Sequence, residues 1–295
     1  MPARVRFYTD PVCTWSWGAE PALRRLLWEF DGELEVAWVM GGLARRYGSG
    51  YRDSASRIGA GPDCFADLIS HWLDVAAATG MPCDPRIWTE SPLASTYPAC
   101  QAVKAAAEQG WEAGYRYLRR LREGIMFERR KLDHMDALLA EAGPAGLDRE
   151  RFEIDVRSNA ILEAFGADLE EVRDIPAEAR DAGALSHTEG RERISFPSLA
   201  FVGDGGERNW FLGSDSFEPQ ALRDAALAAG ARQVNAGALE PLDAMARFGT
   251  CATRELQELA ARPRPVLEAE LWGLARDWKL KPSSALTGTL WELAS

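Results

Sequence analysis

The chain has 295 residues, 46% of them hydrophobic and 27% charged, with a formal charge of -11 and a pI near 5. That length buries a large core and suits two domains, or one elaborated domain with an appendage. The acidic balance argues against general affinity for nucleic acid or anionic membrane, and no apolar run approaches the roughly 18 residues of a membrane span.

The first element is a strand. Arg4 to Thr9 alternates with period two and is rich in aromatic and β-branched residues, and Met1-Pro2-Ala3 leads straight into it without a signal segment, so a cytoplasmic location is expected. The stretch Asp10-Pro11-Val12-Cys13-Thr14-Trp15-Ser16-Trp17-Gly18 comes next. Glu20 to Trp28 then carries Leu23, Leu26 and Leu27 on one helical face, with Pro21 in the first turn where proline is tolerated. Cys13 therefore stands at a helix N-terminus, where unpaired N–H groups and the helix dipole favour a thiolate. A reactive sulfur with a depressed pKa is the expectation. Asp31-Gly32 turns the chain into a second strand, Leu34 to Met40, so the opening reads as a right-handed βαβ unit. Gly41-Gly42-Leu43 leaves the sheet, and a glycine-rich loop with Gly48, Gly50 and Gly59 runs to Gly61-Pro62.

From about residue 62 to 185 the pattern is nearly all helical. Helices are expected over Phe65–Ala76, closed by Gly80, and over Ser95–Gln109, Glu112–Arg130, His134–Ala142, Arg149–Asp155, Ser158–Phe165 and Leu169–Asp181. Arg116, Arg119, Arg120 and Arg122 alternate with acids and read as a solvated face. Strand character returns at Ile194 to Val202, with Pro197 near its entry; Gly203-Asp204-Gly205-Gly206 turns it into a partner strand, Asn209 to Gly213. Pro219 to Ala229 closes this part as a helix. The fold class is thus α/β: a discontinuous domain over 1–61 and 186–235, interrupted by a helical insertion over 62–185. Residues 236–295 form an appendage, with helices expected over Leu239–Ala261 and Val266–Lys279, a rigid Arg262-Pro263-Arg264-Pro265 linker and a strand at Thr287–Leu293. Helix, helix and strand suggest a winged-helix-like module. Its seven basic and eight acidic residues over 237–295 argue against DNA binding and for internal packing or dimerisation.

Five scattered cysteines, Cys13, Cys64, Cys83, Cys100 and Cys251, make a poor disulfide framework. His71, His134 and His187 lie far apart and no C-x-x-C or H-x-x-x-H pair is present, so no metal is expected. A Cys-His hydrolase would need one histidine to fold back onto Cys13, with His187 the one considered. A strand, a Pro-x-Cys turn and a helix instead open a thioredoxin-type redox site, in which a second cysteine three residues on resolves the mixed disulfide. Ser16 occupies that position.

These residues resemble the DsbA family, in its cytoplasmic FrnE-like branch. Asp10 to Gly18 matches the pattern Asp-Pro-x-Cys-x-Trp-Cys-Trp-Gly at every fixed position except Ser16, and Gly41-Gly42-Leu43, Ser95-Thr96-Tyr97-Pro98-Ala99 and Phe196-Pro197-Ser198 fall where that family has them. The resemblance covers about residues 3–230. It implies a thioredoxin fold with an inserted helical domain and a cis bond before Pro197. It also places Phe196 and Pro197 against Cys13, where backbone groups pair with substrate as an added strand does.

With Ser16 in the turn, three activities are open. Cys13 acts as a monothiol resolved by glutathione or another low-molecular-weight thiol, with Ser16 donating a hydrogen bond to its thiolate. Alternatively, the site handles an apolar small molecule through a transiently bound thiol, as the related hydroxychromene-carboxylate isomerases and kappa-type glutathione transferases do. In the third, redox activity is lost and the groove binds a protein, as in thioredoxin-fold adaptors such as the Spx adaptor. Cys13 and Ser16 are the candidate catalytic residues; Trp15, Trp17, Phe196 and Pro197 are the candidates for contact with an apolar or peptide substrate. No permanent cofactor is expected, and a homodimer is compatible with the sequence.

Overall fold

The computed structural model describes residues 2–48, 51, 64–203, 205–213 and 218–294. The glycine-rich segment with Gly50, Gly59 and Gly61-Pro62, and Asp204 of the expected turn, lie outside the described residues.

The chain opens with β1 (Ala3–Thr9), the short helix α1 (Thr14–Gly18), α2 (Glu20–Glu29) and β2 (Leu34–Met40). The helical insertion contains α3 (Cys64–Thr79), α4 (Ile87–Glu90), α5 (Tyr97–Ala107) and α6 (Trp111–Arg122), which runs on as a π-helix over Glu123–Phe127. It continues with α7 (Met135–Ala140), α8 (Arg149–Val156), α9 (Asn159–Glu171) and α10 (Ala177–Asp181). Next come β3 (Leu185–Thr188), β4 (Arg191–Ile194), β5 (Ser198–Val202), β6 (Arg208–Leu212) and α11 (Pro219–Ala228). The main sheet has the order β2-β1-β5-β6, with β1 parallel to β2 and antiparallel to β5. That is the expected thioredoxin arrangement, interrupted once by helices.

Period two explains the sheet's core. Val5 and Phe7 point inward from β1 and pair in register with Val36 and Trp38 of β2, and Leu199 and Phe201 face the same core from β5. Phe7 and Trp38 pack with ring centroids 5.6 Å apart, and Trp38 stacks on Tyr115 of α6 at 5.7 Å. The sheet and the insertion therefore share one apolar interior. Burial of each such aromatic side chain contributes about 1.5–3 kcal/mol.

Several local expectations are corrected by longer-range contacts. Ile194 to Val202 is not one strand: Ser195 to Pro197 interrupts it, Ile194 ends a hairpin with β3, and Ser198 begins β5. The hairpin's signal was the Glu189-Gly190 turn, where both residues take positive φ (52° and 77°). The breaks expected within 158–181 also move, because Gly166 sits inside α9 with open space around it. Helix α6 ends at Arg122 rather than Arg130, as the π-helix takes over.

The C-terminal part contains α12 (Pro241–Phe248), β7 (Cys251–Ala252), α13 (Thr253–Ala260), α14 (Arg264–Arg276), β8 (Leu280–Ser284) and β9 (Thr289–Leu293), with a sheet of order β7-β9-β8. Leu239 to Ala261 is thus two helices. Gly249, at φ 72°, ends the first and allows the two-residue strand between them. Arg264 and Pro265 open α14 instead of serving as a linker, consistent with proline's fit to a first helical turn. Six elements stand where helix, helix and strand were expected.

This part is packed onto the rest through charge as well as apolar surface. Glu255 on α13 is fully buried and accepts hydrogen bonds from Arg119 of α6 at 2.6 and 3.0 Å, while Arg24 of α2 lies 3.1 Å away. Glu20 accepts from Arg122 at 2.6 Å and from Tyr115 at 2.8 Å, and Glu123 of the π-helix accepts from Arg119 at 2.7 Å. Three arginines and three glutamates are buried together, so Arg119 and Arg122 are not solvated as the sequence pattern suggested. At the other end, Thr287, between β8 and β9, accepts from the Cys83 N–H at 2.7 Å and donates to the Cys83 carbonyl at 3.1 Å.

Candidate functional site around Cys13

The turn after β1 is built on Asp10. One carboxylate oxygen accepts from the Val12 N–H at 2.8 Å. The other accepts from the Leu43 N–H at 2.8 Å, the Thr96 hydroxyl at 3.0 Å and the Cys100 thiol at 3.3 Å. Three stretches separated by tens of residues, 10–18, 41–43 and 95–99, thus meet on one buried carboxyl. Burial pushes the Asp10 carboxyl upward, against the pull of these donors.

Cys13 is the N-cap of α1. Its sulfur accepts from the Ser16 backbone N–H at 3.4 Å, and on the other side its thiol faces the Phe196 carbonyl at 4.0 Å. The Phe196–Pro197 peptide bond is cis. Two glycines leave room for this dipeptide: a Cβ at Gly41 would run into the Phe196 ring, and one at Gly213 into the Pro197 carbonyl. Pro197 lies against Gly213, just past the end of β6, and Phe196 rather than Pro197 supplies the atom that faces the sulfur.

The thiol is less available than the sequence implied. Cys13 is only 7% exposed, and the cavity beside it holds about 20 Å³, space for one water molecule. Burial pushes its pKa up from the ordinary thiol value. Ser16, through hydroxyl and N–H, and Arg193, through its charge, act in the opposite direction, and Asp10 adds to the rise. The expectation of a depressed pKa is corrected here, since α1 has only five residues and its N-terminal N–H groups do not offset desolvation. The Ser16 hydroxyl is buried and has no hydrogen-bond partner of ordinary geometry among the described residues, although it is near enough to the sulfur to favour the thiolate.

The two tryptophans diverge. Trp15 is half-buried at the cleft, its ring centroid 6.3 Å from that of His71. Trp17 points into the core, so its expected substrate contact is corrected: it is 2% exposed, donates to the Pro82 carbonyl at 2.8 Å and lies 4.3 Å beneath the Arg119 guanidinium. Residues one position either side of Ser16 leave α1 in different directions, which decides which of the two reaches the cleft.

Three contributors were not legible as site residues. His71 of α3 lies 3.0 Å from the Thr14 hydroxyl and lines the Cys13 cleft, whereas His187 sits on β3 beside Glu192, 3.8 Å away. Arg193 is buried, donates to Thr188 and to the Ile194 carbonyl at 2.9 Å each, and holds its guanidinium 4.1 Å from the Phe196 ring centroid. Asp10 is the third. No local pattern marks His71 or Arg193, because sequence separations of 58 and 180 residues bring them to Cys13.

Larger cavities lie elsewhere. One of about 650 Å³, between α6 and α12, contains none of the expected site residues. Another, of about 420 Å³, adjoins the Cys13 cleft through Arg193. Among the described residues, no three His, Cys, Asp or Glu side chains converge as metal ligands, and no helix is long and apolar enough to cross a membrane.

A family model described as thioredoxin matches residues 7–178. The ClpXP adapter protein SpxH of Halalkalibacterium halodurans is 30% identical over 177 residues, 59% of this chain and 55% of that protein. The chain therefore spans about half the length of the curated relatives it matches. Among solved structures, a putative protein disulfide isomerase from Nitrosomonas europaea superposes with a TM-score of 0.58 at 20% identity, over 77% of this chain and 97% of that one. The cytosolic disulfide reductase DsbM from Pseudomonas aeruginosa with GSH gives 0.52 at 20% identity, over 75% and 96%. At that identity these likenesses concern the fold.

Proposed function

The chain belongs to the thioredoxin family, and from that premise we propose that it is a DsbA-like thiol–disulfide exchange protein acting through Cys13 alone. The Cys13 thiolate attacks one sulfur of a disulfide R–S–S–R′, giving Cys13–S–S–R and releasing R′S⁻, which takes up a proton. A low-molecular-weight thiolate R″S⁻ then attacks the R sulfur. The products are R–S–S–R″ and the regenerated Cys13 thiolate. No internal thiol stands where a resolving cysteine would, since Ser16 occupies that place.

The observation that carries this reading is the pairing of Cys13 with the Phe196 carbonyl across the cleft, with the Ser16 N–H on the opposite side of the sulfur. An extended peptide-like ligand can donate a backbone N–H to that carbonyl while its sulfur meets Cys13. Ser16 and Arg193 favour the thiolate that attacks. Trp15 gives the cleft an aromatic wall. Glutathione is the reference low-molecular-weight thiol, and the reading takes the protein to be cytoplasmic, like the reductase whose structure contains GSH.

Intact mass after incubation with glutathione disulfide tests it. The expected result is one glutathionyl adduct on the wild type and none on Cys13→Ser; a wild type that takes no adduct while free cysteine reacts fully overturns it.

A second reading, a protein-binding adaptor, draws support from the SpxH relative and from the burial that pushes the Cys13 thiol up. It predicts that Cys13→Ser keeps full affinity for the bound protein, which a pull-down with the purified partner measures.

A further inference from the structure

Beside the Cys13 cleft, at the exit of β2, lies the cavity of about 420 Å³. Its walls come from three places: Gly41, Gly42 and Arg45 after β2, Tyr97 and Arg173 from the insertion, and the β3–β4 hairpin with Glu189, Arg191 and Arg193. Four arginines face one glutamate there, in a chain whose net charge is -11. Arg193 lines this cavity and the Cys13 cleft alike, and the Phe196 ring, which lines the cleft, packs on Gly41, which lines the cavity.

Two of these charges, Arg45 and Arg191, are exposed and left without an ion pair among the described residues. Among the described residues, Arg173 forms one ion pair, with Glu170 at 3.5 Å. Glu189 uses one carboxylate oxygen to accept from the Arg45 backbone N–H at 3.1 Å, which fixes the loop and leaves the Arg45 guanidinium available. Guanidinium groups converging on a concave site match carboxylates, which they bind in a bidentate fashion.

We infer that this cavity holds the carboxylate ends of a low-molecular-weight thiol whose sulfur meets Cys13, with Arg45, Arg173 and Arg191 as the binding cations. The identity of the ligand rests on the monothiol reading above. In that arrangement the ligand's backbone crosses over Phe196, and Arg193 stands between its carboxylates and the reacting sulfur. The specificity that follows is for thiols with free acid groups over neutral ones such as 2-mercaptoethanol.

Calorimetric titration of the full chain with S-methylglutathione tests the cavity without any exchange chemistry, because that compound has no thiol. Measurable binding is expected, weakened at least tenfold by esterifying both carboxylates, and weakened similarly by Arg45→Ala/Arg191→Ala. Arg45→Lys/Arg191→Lys should lie between. No binding, or equal affinity for the acid and its diester, overturns the inference. A second readout uses Cys13 itself: the rate with iodoacetate divided by that with iodoacetamide should fall in the Arg45→Ala/Arg191→Ala variant, and an unchanged ratio counts against the pocket. Charge-dependent S-methylglutathione binding without a glutathione adduct on Cys13 would remove the exchange reaction alone. An adduct formed with charge-indifferent binding would remove the pocket alone.

Discussion

Glu255 offers a severe test of how the C-terminal part is held. Its carboxylate accepts two hydrogen bonds from Arg119, lies 3.1 Å from Arg24 and accepts the Ala252 N–H at 2.6 Å, all with no solvent exposure. The substitution Glu255→Gln keeps the volume and removes the charge. Three buried arginines then face two glutamates, and the new amide nitrogen points at N–H donors. Breaking one partner of a buried ion pair costs about 3–5 kcal/mol, a large share of the ~5–15 kcal/mol that holds a typical chain folded. With a urea slope near 3 kcal/mol/M, the unfolding midpoint should fall by about 1–2 M, followed by tryptophan fluorescence. Arg119 also covers the Trp17 indole, which follows Cys13 in α1, so the variant should alkylate faster at Cys13 under native conditions. A loss below about 1 kcal/mol would refute the reasoning, because it would mean that the cluster tolerates an unbalanced positive charge in a dry interior.

Three further outcomes are expected. The pH midpoint of Cys13 alkylation should lie above the ~8.5 of a free thiol, and Ser16→Ala should raise it further because it removes a group that favours the thiolate; a fall in Ser16→Ala contradicts the assignment. Arg86 and Arg129 hold the Asp84 carboxyl down to about 2, so its stabilising effect is complete above the unfolded value near 3.9 and is lost as the pH falls through 2. Asp84→Asn should therefore flatten the stability curve between about pH 4 and 2, and urea titrations across that window check it. Gly41→Ala forces the Phe196 ring to move, with an overpacking cost of about 1–3 kcal/mol and an altered Cys13 alkylation rate, read by thermal denaturation and mass spectrometry.

Much of the fold was legible because its signals are local. Arg4 to Thr9 and Leu34 to Met40 alternate with period two and became β1 and β2 with nearly the expected limits; Cys13 stands at a helix start because a strand, a proline turn and an apolar helical face occur in sequence. Short elements that depend on partners carry no such local signal. A two-residue strand such as Cys251–Ala252 has no pattern of its own and exists because Trp291 and Leu290 of β9 pair with it. The β3–β4 hairpin is nearly as short, and its polar residues Ser186, Thr188 and Arg193 are buried, so no alternation of apolar and polar residues marks it.

By itself the sequence determined where the sulfur sits and which fold carries it: the Asp10–Gly18 turn, its flanking elements and Ser16 in the resolving position are all contiguous or periodic features. Only the tertiary structure decided what surrounds that sulfur. Cys13 is buried, Trp15 lines the cleft while Trp17 enters the core, and His71, Arg193 and Phe196 arrive from 58 to 183 residues away. Two arginines of α6, Arg119 and Arg122, read as part of a solvated face, instead join a buried ion cluster because Glu255 from the C-terminal part and Glu20 from α2 reach them. The physical reason is the same in each case. A residue's intrinsic chemistry is local, but its desolvation and its electrostatic partners are set by chain segments that no window of sequence contains.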